Sequence, residues 1–84
     1  MTRQEKLIKR LLSKPRDFTW EELKKVLAGF NFKEVKTGKT GGSRTRFVNP
    51  SGVIINLHKP HPHNTLKIYQ IEIVVEILEQ EELL

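Results

Sequence analysis

Between residues 4 and 13 the apolar side chains Leu7, Ile8, Leu11 and Leu12 recur at i, i+1, i+4 and i+5, with Lys6, Lys9 and Arg10 around them. This spacing predicts a short amphipathic helix with one apolar stripe. Pro15 closes it, since proline cannot continue a helix. In Phe18-Thr19-Trp20-Glu21-Glu22-Leu23, Thr19 suits an N-cap, Glu22 completes a capping box, and Phe18 can staple against Leu23. Trp20, Leu23, Leu27 and Phe30 follow at helical spacing, which predicts a second helix over residues 20–28. Gly29 stands just past that end, where a left-handed residue commonly closes a helix.

The period then changes from helical to alternating. Residues 32–37 give a faint strand signal, and Gly38-Lys39-Thr40-Gly41-Gly42 is a glycine-rich turn. Residues 43–48 and 53–58 form two clearer strands around Asn49-Pro50-Ser51-Gly52, which suits a type I turn followed by a glycine of positive φ, the three-residue hairpin loop. That loop sets the register: with Asn49 opposite Val53, Phe47 faces Ile55, Thr45 faces Leu57, Arg46 faces Asn56 and Arg44 faces His58. Strand alternation then collects the apolar members on one face and leaves Arg44, Arg46, Asn56 and His58 on the other.

The last apolar stretch is rich in β-branched residues, yet residues 68–80 would make an unusually long strand. As a helix it places Glu72, Glu76 and Glu79 on one side and Ile71, Val74, Val75 and Leu78 on the other, and residues 81–84 are expected to fray. The resulting expectation is an α+β chain: a three-stranded antiparallel sheet in the order αβββα, helices on one face, plus an extra N-terminal helix over residues 4–13. Its core would bury Trp20, Leu23, Leu27, Phe47, Ile55, Leu57, Val74 and Leu78.

With 84 residues there is room for one domain, 1–84, with the αβββα part over 18–80. The absence of cysteine leaves no disulfide or thiolate metal site to support the core. No apolar run approaches the roughly 20 residues of a membrane span, and MTRQEKLIKR lacks the features of a secretory signal. The expectation is a cytoplasmic chain without membrane partners. Charge is distributed unevenly along it. Residues 33–67 carry Lys33, Lys36, Lys39, Arg44, Arg46, Lys59 and Lys67 against Glu34 alone, whereas residues 68–84 carry five glutamates and no Lys or Arg. A concentrated basic segment is what a phosphate-contacting surface requires, although the same charge can serve only to solvate a face.

Other features point away from cofactor chemistry. Gly41-Gly42 lacks the lysine-serine sequel of a phosphate-binding P-loop. His58, His61 and His63 are separated by two prolines and lack an evident fourth ligand, so neither a metal nor a small-molecule cofactor is expected. Trp20 reads as core or staple packing in preference to a platform for stacked bases.

Several stretches together resemble the HicA family of toxin components from toxin-antitoxin pairs. These are Phe18-Thr19-Trp20-Glu21-Glu22-Leu23, Gly42-Ser43-Arg44-Thr45-Arg46-Phe47 with the following Asn49-Pro50, His58-Lys59-Pro60-His61-Pro62, and Leu66-Lys67-Ile68-Tyr69-Gln70-Ile71. The resemblance covers about residues 18–80 and implies a double-stranded-RNA-binding-domain-like fold. It further implies a ribosome-independent endoribonuclease that cleaves mRNA until a HicB-type antitoxin masks it. The helix over 4–13 lies outside the usual minimal domain.

One departure is chemically important. Family members typically read Gly-Ser-His where this chain has Gly42-Ser43-Arg44, and that histidine is taken as catalytic. Arginine stays protonated, so Arg44 cannot accept the proton of a ribose 2′-hydroxyl, though it can clamp a phosphate. His58, across the hairpin with Cβ atoms about 4.5–5.5 Å away, becomes the candidate base, unless it merely ends a strand. RNA-backbone contacts are expected from Lys36, Lys39, Gly42, Ser43, Arg46, Lys59, His61 and Lys67, and an acidic antitoxin is expected over the same basic surface. Two other classes stand beside the nuclease: an RNA-binding module without cleavage, and a winged-helix DNA-binding protein with the Trp20 helix in a major groove.

Overall fold

The computed structural model describes residues 3–36, 44–60 and 63–84, Lys36 by its backbone alone. Its elements run α1 (Arg3–Leu12), α2 (Trp20–Gly29), β1 (Lys33–Lys36), β2 (Arg44–Val48), β3 (Ile54–His58) and α3 (Ile68–Gln80). The strands form one antiparallel sheet in the order β1-β2-β3. This is the expected α+β arrangement, consistent with the double-stranded-RNA-binding-domain-like αβββα fold preceded by an N-terminal helix.

Local chemistry accounts for the start of α2 and for the β2–β3 hairpin. Thr19 caps α2: its hydroxyl accepts the Glu22 backbone N–H at 3.2 Å, and the Glu22 carboxylate accepts the Thr19 N–H at 3.0 Å. Both orphan donors of the first turn are thereby satisfied. At the hairpin, Asn49 N–H donates to the Val53 carbonyl at 3.2 Å, the Asn49 side chain accepts from Val53 N–H at 2.8 Å, and Gly52 takes φ 86°. Every cross-strand pair follows from that loop, including Phe47 with Ile55, Thr45 with Leu57, Arg46 with Asn56 and Arg44 with His58.

Alternation sorts the sheet. Thr45, Phe47, Ile55 and Leu57 are buried, while Arg44, Arg46, Ile54, Asn56 and His58 are exposed. Against the buried side pack Trp20, Leu23, Val26 and Leu27 of α2 and Ile71, Val74, Val75 and Leu78 of α3. The Trp20 and Phe47 rings meet in a tilted arrangement with centroids 5.7 Å apart, a favourable aromatic geometry. With 2 % exposure, Trp20 is packing and offers no stacking platform. Glu34 of β1, exposed and opposite the buried Phe47, forms an ion pair of 3.5 Å with Lys24 of α2.

The structure alters three local expectations. Gly29 is the last helical residue of α2, and the left-handed position falls on Asn31 (φ 67°). A side chain at position 29 would meet the amide end of Gln4 of α1, which reaches past it to the Val26 carbonyl at 2.9 Å; the seat of that amide, which a Cβ would displace, accounts for the use of glycine here. Leu12, assigned to the apolar stripe of α1, is 46 % exposed, and Leu11 carries the burial. Residues 81–84 form a helix cap where fraying was expected: Glu82 adopts φ 58°, Leu83 N–H donates to the Leu78 carbonyl at 2.9 Å, and Leu83 packs on the core. The bonds are those of a Schellman motif.

Among the described residues no helix is long and apolar enough to cross a membrane.

Candidate functional site

On the uncovered side of the sheet, Arg44 lies opposite His58 and Arg46 opposite Asn56. Both pairs are exposed, so a guanidinium and an imidazole share one solvent-facing side, as the hairpin register requires. Arg46 Nε donates to Asn56 Oδ1 at 3.2 Å, which orients the second guanidinium along the strand pair. Together with the Leu57 backbone region these four residues line a shallow depression of about 340 Å³. The remainder of this face turns apolar toward the hairpin loop, where Val48 pairs with Ile54, and Val35 of β1 pairs with Arg46.

A second depression, of about 400 Å³, opens between the end of β3 and the start of α3. His58, Lys59, His63, Lys67 and Tyr69 contribute to its wall. His58 borders both depressions, and so stands where the sheet face meets the loop that leads to α3.

The backbone of His58 is held by Gln70. Its side-chain amide donates to the His58 carbonyl at 2.9 Å, and its Oε1 accepts the Lys67 N–H at 3.0 Å. Gln70 is 4 % exposed, and its two part-buried bonds unite the end of β3 with the first turn of α3. Sequence reasoning missed this residue. A Gln three positions after an N-cap is half of a capping box, but Lys67 occupies the cap, and no Ser or Thr flags the motif. Behind this turn, Trp20 N–H donates to the Asn64 carbonyl at 2.7 Å and Leu66 N–H to the Phe18 carbonyl at 2.8 Å. The segment entering α3 is therefore braced on the capped start of α2.

The predicted contact residues divide by position. Arg44, Arg46 and His58 come together on the sheet, and Lys59 and Lys67 join His58 around the second depression. Lys36 pairs with Thr45 through the β1–β2 ladder. Lys39, Gly42, Ser43 and His61 lie outside the described residues. Among the described residues no group of His, Asp and Glu side chains gathers in metal-binding reach.

The opposite charge sits on another layer: Glu72, Glu76 and Glu79 are exposed along α3, followed by Glu81 and Glu82. The basic sheet can offer guanidinium groups to a phosphate, with an imidazole beside them.

The family described as the HicA toxin of bacterial toxin-antitoxin systems fits residues 20–80, from the first residue of α2 to the last of α3; α1 lies before it. No curated protein and no solved structure matches the chain.

Proposed function

The chain belongs to the HicA toxin family, and from that premise we propose that it is the RNA-cleaving toxin of a toxin-antitoxin pair, acting in the cytoplasm on mRNA and masked by an acidic HicB-type antitoxin. The observation that supports cleavage best is the pairing of Arg44 with His58 on the exposed, basic side of the hairpin.

In the proposed reaction His58 takes the proton of a ribose 2′-hydroxyl. The 2′-oxygen bonds to the adjacent phosphorus, the bond from phosphorus to the 5′-oxygen breaks, and the leaving oxygen receives a proton from water. The products are a 2′,3′-cyclic phosphate and a free 5′-hydroxyl. Arg44 stabilises charge that grows on the non-bridging oxygens, the role for which a permanently charged planar fork is suited. Arg46, Lys59 and Lys67 hold flanking phosphates, with Lys36, Lys39, Gly42, Ser43 and His61 as further contacts. No metal or organic cofactor is required for this transesterification.

His58→Ala should lower cleavage of single-stranded RNA in a metal chelator by about 10²–10⁴-fold, the usual worth of a general base, while retaining salt-dependent binding. Undiminished cleavage by that variant discards the assignment. A second reading, an RNA binder without cleavage, is favoured by Arg44 occupying the position of the family histidine. It predicts a salt-dependent complex and intact RNA in the same assay. No observation favours the winged-helix reading, since the clustered basic side chains lie on strands and the adjoining loop.

A further inference from the structure

Six aromatic residues contribute to the chain: Trp20, Tyr69 and four phenylalanines. Phe18, Trp20, Phe32 and Phe47 are buried, and Phe30 is half-buried against the core. Tyr69 alone is presented to solvent, at 55 % exposure. It stands in the first turn of α3 and lines the depression that also takes in His58, Lys59, His63 and Lys67. Among the described residues no carboxylate contributes to that wall. Gln70 and Leu66, both buried, also line it, and the Gln70 amide ties the turn by accepting from Lys67 N–H and donating to the His58 carbonyl.

We propose that this depression is a nucleotide subsite, in which the Tyr69 ring stacks on the base next to the cleaved phosphate while Lys59 and Lys67 meet the phosphate attached to it. The proposal rests on the RNA-directed reading above and extends it from the backbone to a base. Three features converge on it. A volume of about 400 Å³ lies in the range of small-ligand pockets. An exposed aromatic ring among cations is the combination by which single-stranded nucleic acid is held, because every base has a π-face and every residue a phosphate. Continuity supplies the third: His58 borders both this depression and the Arg44–Arg46 depression. A strand laid across the sheet face passes the imidazole and delivers its neighbouring nucleotide to Tyr69.

The test uses the full chain and a short 2′-O-methylated RNA, in which attack by the 2′-oxygen is blocked, so that binding is measured without cleavage. Tyr69→Ala should weaken binding by about 5- to 150-fold, the range found for losing one base-aromatic stack, and Tyr69→Phe should bind close to wild type. The salt dependence of binding should be unchanged in Tyr69→Ala, whereas Lys59→Ala and Lys67→Ala should each reduce its slope by about one phosphate contact. On an oligonucleotide of abasic residues, Tyr69→Ala and wild type should bind alike. Thermal melting of Tyr69→Ala coincident with wild type shows that the fold is intact, as expected for an exposed site. Wild-type affinity in Tyr69→Ala, or an equal loss on abasic and ordinary strands, overturns the subsite while leaving the RNA-directed reading in place. Failure of the wild-type chain to bind either strand overturns both.

Discussion

His58 is an exposed side chain on a backbone that is not free to move. Its carbonyl is held by an amide that is itself buried and held by Lys67. Removing that amide leaves a carbonyl and an N–H without partners in a shielded position, which costs about 1–3 kcal/mol where water cannot enter. Gln70→Ala should therefore lower the unfolding free energy by an amount in that range, read as a lower denaturant midpoint at unchanged slope, and a midpoint equal to wild type would show that water replaces the amide. The pair Arg44–His58 was legible from the sequence because both positions lie on strands whose alternation and loop determine who faces whom. Gln70 and Tyr69 were not. They belong to a helix whose apolar pattern explains only its buried side, and nothing in a period of 3.6 distinguishes an exposed ring that binds from one that merely sits in water.

At the level of elements, each helix ends on a left-handed residue that is not glycine: Lys14 (φ 52°), Asn31 (φ 67°) and Glu82 (φ 58°). After α2, Phe32 N–H donates to the Leu27 carbonyl at 2.9 Å and Asn31 N–H to the Ala28 carbonyl at 3.0 Å. The end of α3 repeats the pattern. The helix bounds were read to within a residue, but these left-handed caps were invisible beforehand because the signal normally read is a glycine, and the candidate glycine, Gly29, seats the Gln4 side chain. An L-residue in this conformation crowds its Cβ against the backbone, a cost that glycine avoids. Lys14→Gly and Glu82→Gly should each raise stability by up to about 1 kcal/mol. Asn31→Gly should gain less, since asparagine tolerates the conformation. Chemical denaturation with unchanged slope would register the gain, and a loss at Glu82 would mean that the cap is formed otherwise.

Across the whole molecule, α1 lies outside the family match but is fastened to the rest by polar contacts. Gln4 reaches Val26, and Arg10 bonds Glu22 at 3.1 Å and Asp17 at 3.0 Å while its guanidinium lies 5.6 Å from the centre of the Phe18 ring. Partial burial pushes the Glu22 carboxyl up, but hydrogen bonds from Arg10 and Thr19 outweigh it and hold the group below its ordinary value of 4.5. A carboxyl depressed in the folded state stabilises that state above its unfolded pKa, and the benefit disappears as pH falls through the folded pKa. Melting temperature should thus decline on acidification below about pH 4.5. Glu22→Gln, which can still complete the capping box, should decline less over that window. Parallel curves for the two proteins would assign the acid sensitivity to other carboxyls. The order of elements and the hairpin register were readable from composition and period, whereas the anchoring of α1 depends on tertiary neighbours far apart in sequence.

The separation of cations on the sheet from carboxylates on α3 makes the molecule electrically lopsided. A polyanion arriving from solution is drawn toward the sheet face before it touches, while α1 and the residues just past it set further cations beside α3, where Lys14 pairs with Glu72 at 3.7 Å. Such steering acts on the frequency of productive collisions more than on residence time. Ionic strength should consequently throttle how fast a polyanion is captured, which stopped-flow binding at increasing salt would register.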